Sequence, residues 1–356
     1  MKDMNDKRGC HKRIAEVALI VGMVMAFPWL GLAAEPVRLI FDTDMGNDID
    51  DALALALIHA LQDRGECELL AVTVSKENAY AASYVDAVNT YYGRPDIPIG
   101  RVEEGMTPEP GKYVKAVVET KNKDGKPRYP FDLGPDSQTP EAVSLLRKTL
   151  AAQADHSVVL VVVGFSTNAV RLMDSKADEY SPLNGVELIS KKIKLLSMMA
   201  GSFEFEPEGP GEERIEYNVK VDIPSAKKVI EHWPTKLILS PWYLGASIKI
   251  PAVSMERDYG HSGPSPVQHG YRLYGKMPYD RPCYDLTSVL VAVRPDLGYF
   301  NLDKTGRVRV DQQGRTVFEE SENGNTLVMT ADENQRTRVR EAFVFLCSQP
   351  PLRKGK

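Results

Sequence analysis

The sequence predicts an α/β protein built on an open, mostly parallel sheet flanked by helices. Three observations carry that prediction. Short apolar, β-branched runs alternate with helix-length segments from Val37 onward. One run, "SVVLVVVGF" (157–165), is apolar without interruption, as expected of a central parallel strand covered on both faces. Acidic residues crowd the junction after the first run, the place where such sheets bind ligands.

The elements follow in order. Residues 1–34 read as a signal peptide: a basic start, the apolar run "VALIVGMVMAFPWLGLAA" (17–34), and small residues suited to cleavage near Ala33 or Ala34. An uncleaved anchor is the alternative, although the run sits at the lower edge of a bilayer span and contains Pro28. Residues 35–356 are expected to form a single catalytic domain. "VRLIF" (37–41) is its first strand and "DALALALIHAL" (51–61) its first helix. "CELLAVTVS" (67–75) and "AYAASYVDAVNTYYG" (79–93) repeat the pair, and Gly93 closes the second helix. After the strand at 157–165, a helix begins at "NAVRLMD". "KIKLLSMMAG" (192–201) and "TKLILSP" (235–241) are further buried strands, with the helix "IPSAKKVIEHW" (223–233) between them. Apolar–polar alternation around "DQQG" marks a small antiparallel β appendage over 302–330, and 331–350 is a C-terminal helix.

Composition narrows the function classes. The 356 residues are 43% hydrophobic and 26% charged, with a net charge of -5, so the chain can bury a core and is no basic polymer binder. No nucleic-acid polymer is expected as partner, and no membrane once the leader is cleaved. Beyond the leader stand Cys67, Cys283 and Cys347, too few for a disulfide scaffold; one bridge or three buried thiols both fit.

"FDTDMGNDIDDALALALIHAL" (41–61) places Asp42, Asp44, Asp48, Asp50 and Asp51 within ten positions. One aspartate at a helix start is an ordinary cap. Five in a buried corner repel one another unless a cation is shared. Carboxylates with no cysteine or histidine nearby favour a hard ion, Ca²⁺ or Mg²⁺, over zinc. An EF-hand would need Gly and Glu where Asn47 and Leu53 stand, so that motif fails. A haloacid-dehalogenase-type phosphatase also follows a strand with Asp-x-Asp, but expects Thr or Val where this chain has Gly46.

The stretch more closely resembles the opening Asp-x-Asp-x-Gly…Asp-Asp-Ala signature of the inosine–uridine-preferring nucleoside hydrolases, on Asp42, Asp44, Gly46, Asp50, Asp51 and Ala52. The resemblance continues through most of the chain. "LLAVTVSKEN" is similar to the strand ending in a substrate-contacting Asn, here Asn78. "VVVGFSTNAV" is similar to the strand whose residue before Gly lends a carbonyl to calcium, here Val163. "LLSMMAG" puts Met199 near the ribose, and "IEYNVKVDIPSAKKVI" offers Glu216 and Asn218 as sugar contacts. "CYDLTSVLVAVRPDL" supplies Asp285 as the last calcium ligand.

What the resemblance implies is a nucleoside-hydrolase-like fold that cleaves the N-glycosidic bond of ribonucleosides to free base and ribose. Ca²⁺ would be held by Asp44, Asp51, the Val163 carbonyl and Asp285, and Asp44 would be the general base. Asp50, Asn78, Met199, Glu216 and Asn218 would bind the ribose. Its partner would be a small-molecule nucleoside, its location periplasmic or extracellular, and homo-oligomers occur in the family. Read without the resemblance, Met199 is equally core filler, Asn168 a helix cap, and Glu216 and Asn218 one face of a solvated strand.

Three departures from the family pattern stand out. Met45 replaces Pro, and the loop "GNDIDDA" is two residues longer, which lets Asp48 substitute for Asp50 or Asp51. Tyr284 stands where many members carry the His beside the departing base. The leaving-group proton would come from Tyr284, from His261 or His269 in "YGHSGPSPVQHGYRLYG" (259–275), or from water. A calcium-dependent binder without turnover is therefore the reading from another class.

Overall fold

A computed structural model describes residues 35–203, 214–259 and 264–352; the expected leader lies outside them. Eleven strands and thirteen helices are found among the described residues. The first half runs β1 (Val37–Thr43), α1 (Asp50–Asp63), β2 (Cys67–Lys76), α2 (Ala79–Tyr91), β3 (Ile99–Met106), α3 (Val114–Val118), α4 (Ala142–Ala151), β4 (Val158–Val162), α5 (Thr167–Asp174), α6 (Gly185–Lys192) and β5 (Ile193–Met199). The second runs α7 (Tyr217–Val221), α8 (Ile223–His232), β6 (Lys236–Ser240), α9 (Trp242–Ser247), β7 (Lys249–Ile250), α10 (Ala252–Arg257), α11 (Pro266–Tyr274), β8 (Arg281–Pro282), α12 (Tyr284–Val293), β9 (Asn301–Val310), β10 (Thr316–Glu320), β11 (Thr326–Thr330) and α13 (Glu333–Cys347).

Nine strands form one sheet in the order β10-β9-β11-β6-β5-β4-β1-β2-β3. From β3 to β6 all pairings are parallel. The chain winds outward from β1 through β2 to β3, then returns to the other side of β1 to add β4, β5 and β6. The order therefore reverses between β1 and β4, and loops there diverge to open faces of the sheet, leaving a crevice at the strands' carboxyl ends. The antiparallel strands expected at 302–330 are β9, β10 and β11. They extend this sheet, because β11 pairs parallel with β6 and antiparallel with β9. A separate two-stranded sheet joins β7 and β8.

The uninterrupted apolar run of β4 is explained by two cores. Val159, Val161 and Val163 face one, while Val158, Leu160 and Val162 face the other. Helix α1 is buried from Asp50 to Leu61, because it lies between the sheet side and α12 and α13. Among the described residues no helix is long and apolar enough to cross a membrane. Cys67, Cys283 and Cys347 are free, buried thiols.

Two local expectations change. Glu216 and Asn218 do not alternate along a strand; Glu216 caps the one-turn helix α7, and both are buried. Asn168 is not the cap of α5, which starts from Ser166. Its amide instead donates to Asp42 Oδ2 at 2.7 Å.

Candidate active site

The crevice at the strand-order reversal is a cavity of about 590 Å³, within the range that holds a small ligand. Asp44 comes from the turn after β1, Asp50 and Asp51 from the start of α1, Val163 from the end of β4 and Asp285 from the start of α12. Asp48, Met199, Glu216, Asn218 and Tyr284 line it too. Gly46, at φ 113, makes the turn after Asp44 in a backbone region that side-chain-bearing residues rarely enter. Gly164 lets β4 end against β1, since a Cβ there would lie 2.4 Å from the Asp44 nitrogen.

The carboxylates divide by their partners. Asp42 is buried beneath the cavity and accepts from Thr73 Oγ1 at 2.5 Å and from Asn168; burial lifts its carboxyl to about 7. It braces the strand end and does not reach the cavity, which removes the first carboxylate an Asp-x-Asp phosphatase would need there. Asp44 accepts from Asn47 Nδ2 at 2.7 Å, and burial, with the charge of Asp48, raises it to about 6. Asp51 accepts from Thr43 Oγ1, but its Oδ2 is buried without a partner. Burial and the charges of Asp44 and Asp50 hold Asp51 well above the usual range. Asp285 is raised likewise, by burial and then by Asp50, Asp51 and Asp44.

Asp50 is more committed than expected of a sugar ligand. Its Oδ1 accepts from Arg281 Nη2 at 2.6 Å, and its Oδ2 accepts the backbone N–H groups of Tyr284 at 2.9 Å and Asp285 at 3.3 Å. It thereby caps α12 and fixes where Asp285 begins. Burial still lifts it to about 6 against the pull of Arg281. Arg281 also pairs with Asp48, so the extra carboxylate of the lengthened loop is matched by a guanidinium.

The donor set suits a hard cation. It consists of oxygens, one of them orphaned in the interior, and of like charges that raise each other's pKa. Among the described residues no group of three or more His, Cys, Asp or Glu side chains is placed so as to hold a metal ion by itself. The Val163 carbonyl already accepts from Asn218 Nδ2 at 2.8 Å and keeps a second lone pair. Asn218 also approaches Met199 Sδ at 3.5 Å, and Glu216 accepts the N–H groups of Asn218 and Val219. Burial raises Glu216 to about 7.

Part of the lining is aromatic. Trp242 and Tyr284 stack with centroids 6.3 Å apart, Arg214 lies 3.7 Å over Trp242, and Arg281 lies 5.5 Å from the Tyr284 centroid. Burial, with the charge of Asp50, pushes the Tyr284 phenol up to about 12. Such a group donates hydrogen bonds at neutral pH but releases its proton poorly. His269 is no substitute: it lies on α11 against Tyr129 and does not line the cavity. His261 falls outside the described residues.

Asn78 is likewise not brought to the cavity. Its Oδ1 caps α2 through Tyr80 N, and its Nδ2 donates to the Glu109 carbonyl at 3.2 Å. Asn47, Arg281, Trp242 and the 109–112 segment are the residues that sequence reasoning missed. Trp242 had a usable signal, since it directly follows a strand at the carboxyl edge of the sheet.

A family model described as inosine-uridine preferring nucleoside hydrolase matches residues 39–343. No curated protein sequence matches the chain. Among solved structures, a plant nucleoside hydrolase, PpNRh1, is 19% identical and superposes with a TM-score of 0.64, covering 88% of this chain and 100% of its own. A purine-preferring ribonucleoside hydrolase from Gardnerella vaginalis is 16% identical, with a TM-score of 0.64 over 87% of this chain and 98% of its own. The type III effector XopQ, complexed with adenosine diphosphate ribose, is 15% identical, with a TM-score of 0.61 over 95% and 99%. At these identities the structural likenesses speak for the fold.

Proposed function

The chain belongs to the inosine–uridine preferring nucleoside hydrolase family, hydrolases of N-glycosyl bonds, and on that premise we propose that it is a calcium-dependent ribonucleoside hydrolase releasing free base and ribose. The observation that carries the reading is the convergence of Asp44, Asp51, Asp285 and the Val163 carbonyl on one cavity, with a buried Asp51 oxygen lacking a partner.

Asp44, Asp51, Asp285 and the Val163 carbonyl would hold the ion. When bound, calcium supplies positive charge that acidifies a water and orients neighbouring hydroxyls. Asp44 takes the proton from the attacking water as C1′ gains oxocarbenium character. Asn218 and Glu216 bind the sugar, with Met199 packing beside it. Asp50 acts on Asp285 by capping α12, in place of the direct ribose contact expected of it. Trp242 and Tyr284 hold the departing base; Tyr284 donates a hydrogen bond to it, and the base takes its proton from solvent water.

A second reading has a specific observation behind it: Tyr284, which stands where many family members carry the His beside the departing base, has its phenol pushed up to about 12 and is a poor acid. A calcium-dependent binder of nucleosides or related ribosides fits that feature, and the effector complexed with adenosine diphosphate ribose shares the fold. Reducing-sugar release from inosine, uridine, adenosine and cytidine decides between them, with EGTA and Asp44→Asn as controls. Release lost in both controls supports hydrolysis. Saturable binding with no product supports the binder.

We further assign residues 1–34 as an export leader and residues 35–356 as the mature catalytic domain, acting on nucleosides outside the cytoplasm. N-terminal sequencing of the exported protein tests this; a start before Ala33 overturns it.

A further inference from the structure

We propose that Lys76 is a positioning residue of this site, holding Asn47 and, through it, the carboxylate of Asp44. The inference rests on the assignment of Asp44 as base and cation ligand. Lys76 ends β2, and its side chain has 0% exposure, so its ammonium must find all its partners inside the protein. It donates to Asn47 Oδ1 at 2.8 Å, to the Thr107 carbonyl at 2.5 Å and to Glu109 Oε1 at 3.3 Å.

An ammonium has donors only. It therefore binds the oxygen of the Asn47 amide and turns the NH₂ the other way, onto Asp44 Oδ2 at 2.7 Å. Without the lysine the amide oxygen loses its anchor, and the side chain can turn away from Asp44. Asn47 lies in the lengthened loop, so that loop adds more than chain length, since one of its residues links a buried cation to the base.

The same lysine fastens a wall of the cavity. Thr107 sits at φ 50, and Gly111 passes so close to the aspartate turn that a Cβ would lie 2.1 Å from the Gly46 carbonyl oxygen. Glu109, Pro110, Gly111 and Lys112 all line the cavity. Lys76 thus ties the turn and the wall at one nitrogen.

The test compares wild type, Asn47→Ala, Lys76→Met and the double variant, all as the full mature chain. Two readings are taken: calcium affinity by calorimetry, and steady-state hydrolysis of inosine. Each single variant is expected to lose about 10–100-fold in kcat and in calcium affinity, the usual cost of removing an outer partner of a ligand. KM should stay within about threefold, because ribose binding is not what is lost. The double variant should be no worse than the poorer single, since the two residues act in series. A loss of stability alone would not produce that pattern. If Lys76→Met fails to fold, Asn47→Ala decides, because Asn47 is a half-buried loop residue. Wild-type kcat and calcium affinity in Asn47→Ala, a change in KM only, or multiplicative losses would overturn the proposal. If wild type releases no ribose from inosine, the hydrolase reading loses its support, and the calcium affinities still judge Lys76.

Discussion

The two walls of the cavity are built on opposite terms. One is a set of buried carboxylates, Asp44, Asp51 and Asp285, each raised first by burial and then by the charge of neighbouring aspartates. The other is a pair of stacked aromatics, Trp242 and Tyr284, with guanidinium groups of Arg214 and Arg281 against them. The first wall gathers like charges in the interior and leaves Asp51 Oδ2 without a partner, while the second sets cations against aromatic faces. On the proposed reading, the base and the developing sugar charge belong to the first, and recognition of a flat leaving group belongs to the second. Losses in turnover and losses in binding should therefore map to separate walls.

The largest expected break is on the carboxylate wall. Asp44→Asn keeps the shape and removes the base, so ribose release at saturating nucleoside should fall about 10²–10⁴-fold. Next comes the ion itself. Calcium at about 100 times its dissociation constant should stabilise the fold by about 2.7 kcal/mol, read as a rise in Tm that Asp51→Ala abolishes. An equal rise in Asp51→Ala would remove that residue from the ion's ligands.

The aromatic wall should respond differently. Trp242→Ala is expected to raise KM by about tenfold with kcat little changed, as when uniform binding is lost. Tyr284→Phe should cost kcat less than about tenfold, because a phenol held near 12 donates a hydrogen bond but is a poor acid. A larger loss in kcat would make Tyr284 the acid and erase the distinction between the walls.

The smallest effect is on pH. Burial lifts Asp42 to about 7, Asp44 to about 6 and Glu216 to about 7, above their unfolded values of 3.8, 3.8 and 4.5. The folded chain therefore binds more protons than the unfolded chain between those limits, and its stability falls as pH rises through them. In calcium-free buffer, Tm should be lower at pH 8 than at pH 5. Saturating calcium should shrink the difference, since it favours the charged carboxylates.

Much of this was legible before the fold was known, where the signal was local. β1, α1 and the aspartates between them are contiguous, and the apolar run of β4 declares its burial by lacking alternation. Elements with mixed signals were harder to read. β3 carries Arg101, Glu103 and Glu104 at the sheet's edge, and α4 emerges only after a long segment rich in Pro and Gly. Glu216 and Asn218 misled because four alternating residues fit one helical turn as well as a strand. Asn168 misled because the cap fell two residues earlier, on Ser166. Asn78 had a cap's sequence position and kept a cap's role.

The unread part of the site is made of long-range partners. Arg281 meets Asp50 across 231 positions, and Lys76 meets Asn47 across 29. Neither cation is marked by its neighbours in sequence. Only the sheet order brings them to the aspartates, so no local pattern could announce them.

The missing side chain at Gly164 has a further consequence. Since β1 and β4 abut there through main chain, the backbone separation of Asp44 and Val163 is set by strand spacing. A loop-built ion site can tighten or relax around its guest. On the proposed reading, one side of the cage would have the gauge of a β-sheet, so part of any preference for ion radius would be inherited from the architecture.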